Sequence, residues 1–430
     1  MKKIWDRAKN IIPGGNTLLS KRPNLWLPEA WPSHFKKSEG ITVVDVNGKK
    51  YEDFIFAVGT NPLGYANKKI NSAVINAVKK GSMSSLNAIE EYQFAEKILE
   101  INNWADMVKF TRSGGEANAI AIRIARAASG KDNIAFCGYH GWHDWYVSSN
   151  LKKKDTLNNH LIEGINTSGV PKVLNKTIFP FKYNDYKRLT QIIKNHNIGT
   201  IIMEVKRYLE PENFFLKKIR KLCNKKKIIL IFDECTTGFR QTYGGLHANY
   251  GVNPDIAMFG KAIGNGFAIN AVVGKRQVME HANNSFISST FWGERLGFAA
   301  GIATLKEMKE KKAWLEIYNI GEYIIKNIKK IADSNSIKIE VIGIESIPTF
   351  IFKSKNHLIY KTLIAQEMLK RNMLGSNLIY VSTEHTKNKI DKYLFELNKV
   401  FQKIKIIEDT GNIKKYLKYK TVDTNFSRLN

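Results

Sequence analysis

The sequence predicts an α/β fold in which a mostly parallel sheet is covered on both faces by helices. Two observations carry that expectation. Between about residues 70 and 300, short apolar runs alternate with helical stretches, the pattern of strands threaded by crossover helices. The runs are apolar throughout rather than at every second residue, as strands buried on both faces must be.

In chain order, residues 1 to about 60 read as irregular, broken by Pro13, Gly14, Gly15, Pro23, Pro28 and Pro32. Within that stretch ITVVDV and KKYEDFIF form a strand pair around an Asn47-Gly48 turn. The apolar runs follow: MVKFTR (107–112), NIAFCG (133–138), TIIMEV (200–205), IILIFDE (228–234) and DIAMFGK (255–261). Helices are expected at EANAIAIRIARAA (116–128) and NFFLKKIRKLCNKK (213–226). In KNKIDKYLFELNKVFQKI (387–404), Ile390, Leu394, Leu397, Val400 and Phe401 recur at helical spacing. The organisation expected is an N-terminal segment, 1–60, packing with the small domain; a large domain, 61–304; and a small α+β domain, 305–430. The tail after about 408 is polar.

Bulk properties narrow the function classes. At 430 residues the chain can hold a large and a smaller core. It is 43% apolar, an ordinary globular value, and no run approaches the roughly 18 to 20 apolar residues of a membrane span. No apolar segment follows the basic N-terminus, so no secretory signal is read there. Cys137, Cys223 and Cys235 form no CxxC pair, which sets a reducing cytoplasm as the expected location. The formal charge of +28 invites a nucleic-acid reading. The excess is lysine spread along the chain, without basic-aromatic interleaving. The short runs 152–154 and 225–227 read as solvated helix ends or loops, so neither nucleic acid nor membrane is an expected partner.

Ligands of parallel sheets bind at the carboxyl ends of the strands. The polar residues there are Ser113, Tyr139, His140, Glu204, Asp233 and Lys261. In TRSGGEANAI a strand ends, Ser113-Gly114-Gly115 turns, and a helix begins; the free N–H groups of a helix start suit a phosphate. Asp233 ends a buried strand. It either caps the following turn or pairs with a cationic ligand, because a lone buried carboxylate is costly. Tyr139 and His140, between glycines, either pack on the core or offer a flat face to a planar ligand. His143 and Asp144 follow closely but make a poor metal site. Lys261, in IAMFGKAIGNG, is a turn lysine or a reactive amine. Together a phosphate cradle, an aromatic face, a carboxylate and a lysine complement pyridoxal 5′-phosphate (PLP), with the lysine forming a Schiff base and the carboxylate holding the ring nitrogen protonated. Free lysine titrates near about 10.4, and an apolar setting lowers that value.

These segments resemble the class III aminotransferases of PLP fold type I, particularly the branch similar to glutamate-1-semialdehyde aminomutase. The resemblance runs from IIPGGN near residue 11 through DVNGKKYEDF, NPLGYANKKI, RSGGEANAIAIRIARAASGKDNI, GYHGWHD, FKYND, IIMEV, IFDECTTGFR, NPDIAMFGKAIGNG and SSTFWGERLGFAAGIATL to STEHTKNKID at 382–391. It implies a large domain with a mostly parallel seven-stranded sheet and a smaller α+β domain. It implies that Lys261 carries the Schiff base and moves the proton on the substrate carbon, and that Asp233 pairs with the ring nitrogen. Gly114 and Gly115, with Ser113, would hold the phosphate; Tyr139 would stack on one ring face, with His140 beside it. Cys235 would back the other face, Glu204 would sit near the ring, and Thr290 would reach the phosphate of the neighbouring subunit's cofactor. A homodimer with shared active sites follows from that last role.

The sequence also departs from the family pattern. Gly115 stands where Ser or Thr is usual, Val205 follows Glu204 in place of Pro, and Cys235 replaces an aliphatic residue. VKRYLEP (205–211) and GSNLIYV (375–381) differ from the segments with which the aminomutases recognise their semialdehyde. The expected reaction is therefore transfer from a small-molecule amino donor to a keto or aldehyde acceptor, with ping-pong kinetics. The alternatives are an aminomutase, a PLP-dependent epimerase and, from another class, a basic nucleic-acid-binding protein.

Overall fold

The computed structural model describes residues 2–152 and 165–422. Lys153 and Lys154 of the first lysine run, and the tail from 423, lie outside the described residues. Among the described residues the chain divides into two compact units, 68–314 and a second made of 2–67 with 315–422.

The larger unit is built on one seven-stranded sheet. Its strands are β1 (Met107–Thr111), β2 (Asn133–Cys137), β3 (Ile178–Pro180), β4 (Ile198–Met203), β5 (Ile229–Glu234), β6 (Ile256–Phe259) and β7 (Asn270–Gly274). Their order across the sheet is β1-β7-β6-β5-β4-β2-β3. The pairs from β6 to β3 are all parallel, and β7 alone runs against both its neighbours. β4, β5, β6 and β7 are buried at every residue, as the uniformly apolar runs require. β3 and β7 join the five strands expected from the sequence. β3 has three residues, too few for a lone apolar run to stand out, and in β7 only Ala271, Val272 and Val273 are apolar, between Asn270 and Gly274.

Register fixes what reaches the sheet's edge. Cys137 pairs with Met203, Met203 with Phe232, and Asp233 with Met258. Glu204 and Asp233 therefore stand at the carboxyl ends of adjacent strands, with Lys261 two residues beyond β6. Asp255 closes the opposite end. Its carboxylate accepts from Leu230 N–H at 2.8 Å, from Arg220 Nη1 at 2.8 Å and from Lys275 Nζ at 2.9 Å.

The helix Gly114–Ser129 begins at a capping box. Ser113 Oγ accepts from Glu116 N–H at 3.3 Å, and Glu116 Oε2 accepts from Ser113 N–H at 2.8 Å. Gly130 ends it in the left-handed conformation. The helix Phe215–Lys226 leaves Lys225, Lys226 and Lys227 exposed, the solvated helix end expected. Lys152 is half-buried instead, with its Nζ 4.1 Å over the Phe179 ring.

In the second unit, Thr42–Asp45 and Lys50–Asp53 pair antiparallel around Gly48, whose φ is +86°. Phe35–Glu39 and Met373–Leu374 complete a four-stranded sheet. The long C-terminal helix runs Lys387–Thr410, burying Ile390, Leu394, Leu397, Val400 and Phe401. Residues 1–60 are less irregular than expected, because Lys2–Ile11 is a helix. Its apolar positions Ile4, Ala8 and Ile11 have helical spacing, but the prolines that follow dominate the sequence pattern.

Asp255 joins β5, β6 and the Phe215–Lys226 helix through one buried carboxylate. Asp255→Ala is expected to destabilise the protein by about 3 kcal/mol, because it strands the Arg220 guanidinium. Urea unfolding at neutral pH measures it; a loss under about 1 kcal/mol would show that the carboxylate is dispensable.

Candidate functional site

Asp233 is the centre of the site. It is buried, and its Oδ2 accepts from His140 Nδ1 at 2.9 Å and Asn118 Nδ2 at 3.0 Å. Its Oδ1 accepts from Cys235 N–H at 3.1 Å. His140 Nε2 lies 3.2 Å from the Cys137 carbonyl. Both partners of the ring are acceptors, so both contacts are made together only when each ring nitrogen carries a proton. Burial pushes the Asp233 carboxyl up; the His140 hydrogen bond and charge, Cys235 N–H and Asn118 outweigh it and hold the group below the usual carboxylate range. Oδ1 thus caps the following turn, while Oδ2 is held by His140 and Asn118.

Lys261 follows β6 through Gly260. Its φ is +43°, a left-handed backbone that costs a non-glycine residue of order 1 kcal/mol. Gly260 is required there: a Cβ would lie 1.9 Å from Asn270 Oδ1. Lys261 Nζ donates to Thr236 Oγ1 at 2.6 Å. Both side chains lie on the β5 and β6 side of the carboxyl edge that also holds Asp233.

Tyr139 and Glu204 meet through the backbone. Glu204 Oε2 accepts from Tyr139 N–H at 3.1 Å, and the intervening Gly138 has φ +117°. A Cβ on Gly138 would lie 2.9 Å from that same carboxylate oxygen. Glu204 thus fixes the loop that carries Tyr139 and His140. The Tyr139 ring is half-buried and meets Tyr146 edge-on at 6.0 Å.

Gly114 and Gly115 are the first residues of their helix, where N–H groups lack intrahelical partners. A Cβ on Gly114 would be 3.5 Å from Cys235 Sγ, so the buried thiol backs directly onto the helix start. Burial, then the Asp233 charge, push that thiol well above its ordinary value. A Cβ on Gly115 would be 2.8 Å from His143 Cε1. The imidazole fills the space that a side chain at 115 would need. Burial lowers the His143 pKa, against the pull of Glu116 and Asp144.

Ser113, Gly114, Gly115, Tyr139, His140, Glu204, Asp233, Cys235 and Lys261 are linked by these contacts or stand at the same sheet edge. Thr290 is elsewhere: it opens the exposed turn Thr290–Gly293. It borders a hollow of about 670 Å³ with Ser84, Leu86, Tyr92 and Trp292. Sequence reasoning missed Asn118, Thr236 and the packing of His143. Asn118 left a signal, as the one polar residue in the run 117–122 of its helix. Thr236 and His143 left none, since their partners are distant in sequence.

Asp233→Asn removes the negative charge but keeps the shape. Because the folded-state carboxyl titrates below its unfolded value of about 3.9, its stabilisation is present above that pH and lost as pH falls through the folded value. The variant is expected to be about 1–3 kcal/mol less stable than the native chain at pH 7. The two denaturation curves should converge at the acid end; a gap that persists unchanged to pH 2 would contradict this account.

Comparison with known proteins adds the following. Residues 29–371 match the family model of class III aminotransferases. The chain is 33% identical over 370 residues to the 3-aminobutyryl-CoA aminotransferase of Cloacimonas acidaminovorans, covering 84% of this chain and 85% of that protein. It is 34% identical over 357 residues to the glutamate-1-semialdehyde 2,1-aminomutase of Methanobrevibacter smithii, covering 80% and 81%. Among solved structures, the PLP internal aldimine form of the FumI protein of Sphingopyxis sp. MTA144 superposes with a TM-score of 0.84. That match covers 95% of this chain and 97% of the other at 22% identity, and it shows a shared fold.

Proposed function

The chain belongs to the class III aminotransferases, enzymes whose cofactor is PLP, and from that premise we propose that it moves an amino group from a small-molecule donor to a separate keto or aldehyde acceptor. The observation that carries the reading is the placement of Lys261 and a buried Asp233, held below the usual carboxylate range, at the carboxyl ends of adjacent parallel strands.

The residues present fit the cofactor. Asp233 offers about four lone-pair sites, and three donors from the described residues occupy three of them. A ring N–H can take the remaining position on Oδ1. Gly114 and Gly115 offer first-turn N–H groups to a phosphate and have no side chain of their own to obstruct it. Bound, the cofactor supplies a carbonyl that takes up the donor's amino group and a protonated ring that withdraws electrons from the substrate carbon.

The chain's residues do the rest. Asp233, kept ionised by His140, Asn118 and the Cys235 N–H, holds the proton on the ring nitrogen. Ser113 sets the turn that presents the two glycines. Tyr139, its backbone held by Glu204, would cover one face of the ring, and Cys235 would back the other. Lys261 would be the amine that holds the cofactor and carries the proton at the substrate carbon. Thr290 reaches a second subunit's phosphate in a homodimer. Leu86 and Phe291, 82% and 65% exposed near that hollow, support a partner surface there. Among the described residues no helix is long and apolar enough to cross a membrane.

Transfer between two molecules is favoured over transfer within one by VKRYLEP and GSNLIYV, where this chain departs from the aminomutases. The aminomutase reading rests on the relatives so named. A panel of amines added to the PLP-loaded protein separates the two. We expect one donor to bleach the cofactor's visible absorbance and a separate carbonyl acceptor to restore it, with Lys261→Ala at least about a thousandfold slower. Conversion of a single amino compound to its isomer with no acceptor present would establish the aminomutase instead.

A further inference from the structure

We propose that the Thr236 hydroxyl is a positioning residue for the Lys261 amine, holding its nitrogen at the opening of the site whenever that nitrogen is not bonded to the cofactor. The inference rests on the reading of Lys261 as the reactive amine and extends it to a residue outside the predicted site.

Three independent observations converge on the contact. The first is the hydrogen bond itself, Lys261 Nζ to Thr236 Oγ1 at 2.6 Å. The second is exposure. From Ile228 to Arg240 every residue is buried except Thr236, and from Pro254 to Asn265 every residue is buried except Lys261. Two otherwise closed segments thus each open at one residue, and those two residues face each other.

The third is the rigidity behind the hydroxyl. The Thr236 carbonyl accepts from Arg240 Nε at 2.7 Å, and Arg240 is wholly buried. Thr237 Oγ1 donates to Glu234 Oε2 at 3.1 Å, and Gly238 N–H donates to the Glu234 carbonyl at 2.9 Å. The Glu234 carboxylate also accepts from Leu246 N–H at 2.6 Å and from His247 Nδ1 at 2.6 Å. A Cβ on Gly238 would be 2.6 Å from the Phe259 ring and 3.0 Å from the Glu234 carbonyl, so the turn is closely packed there. Lys261 is fixed from its own side by Gly260 against Asn270.

The chemistry of a hydroxyl suits this place. It accepts a hydrogen bond from an ammonium and donates one to a neutral amine, so it partners Lys261 in both protonation states without either group moving. A carboxylate there would favour the ammonium alone. A valine would leave the amine without that anchor. An amine that takes a proton from the substrate carbon and returns it gains from a partner of this kind, because its position is set before each transfer.

The test uses the full-length protein with Thr236→Val and Thr236→Ser. In cofactor-free protein at neutral pH, trace labelling with acetic anhydride is read by peptide mass spectrometry, with exposed Lys309 as the internal reference. Without the hydroxyl the ammonium loses an acceptor. Labelling of Lys261 should then rise about threefold to tenfold in the valine variant, while the serine variant stays within about twofold of native. In the loaded enzyme the valine variant should lose kcat, with the donor's KM within about twofold of native. Lys261 labelling equal in native and valine proteins overturns the proposal, whatever the activity. Absence of turnover with any donor in the native protein would instead defeat the aminotransferase reading, while the labelling still decides the contact.

Discussion

A carboxylate without water is the constraint on which the rest of this site depends. Asp233 lies at the end of a strand buried at every residue, where an unpaired charge would be prohibitive. Each of its three partners comes from a different part of the chain. His140 comes from the loop after β2, Asn118 from the helix behind β1, and the Cys235 N–H from the turn after β5. Once buried, the carboxylate draws the hydrogen bonds that favour its charge from the sheet, the glycine-opened helix and the aromatic loop together. That one buried charge holds the site's walls in register.

The neighbouring strand sets a second constraint of the opposite kind. Lys261 donates through Nζ to a neutral hydroxyl, that of Thr236. It stands on a strained left-handed backbone, next to a glycine that Asn270 forbids from being anything larger. Asp233 has three fixed donors around its charge. One sheet edge holds both groups because parallel strands present successive chain ends to one crevice.

Much of this was legible in the sequence, and the pattern of what was not is physical. Uniform apolar runs marked β4, β5 and β6, and the polar residues just past them marked Glu204, Asp233 and Lys261. Ser113 and the two glycines marked a helix start because capping chemistry is local. The strand Ile178–Pro180 was too short to announce itself, and Asn270–Gly274 carries only three apolar residues between its polar and glycine ends. Asn118 and Thr236 owe their roles to partners 115 and 25 residues away, and periodicity carries no such information. Gly115, which reads in the sequence as a missing hydroxyl, is in the structure a space occupied by His143. The departure from the family pattern is thus a change of packing as well as the loss of a group.

The account stands most directly on the identity of one lysine among the chain's 67 basic residues. Incubation with PLP, reduction with borohydride and peptide mapping measure it. The account predicts a single phosphopyridoxyl group per chain, on the peptide that carries Lys261. Label on a different lysine, or spread over the exposed lysines with Lys261 spared, would contradict it.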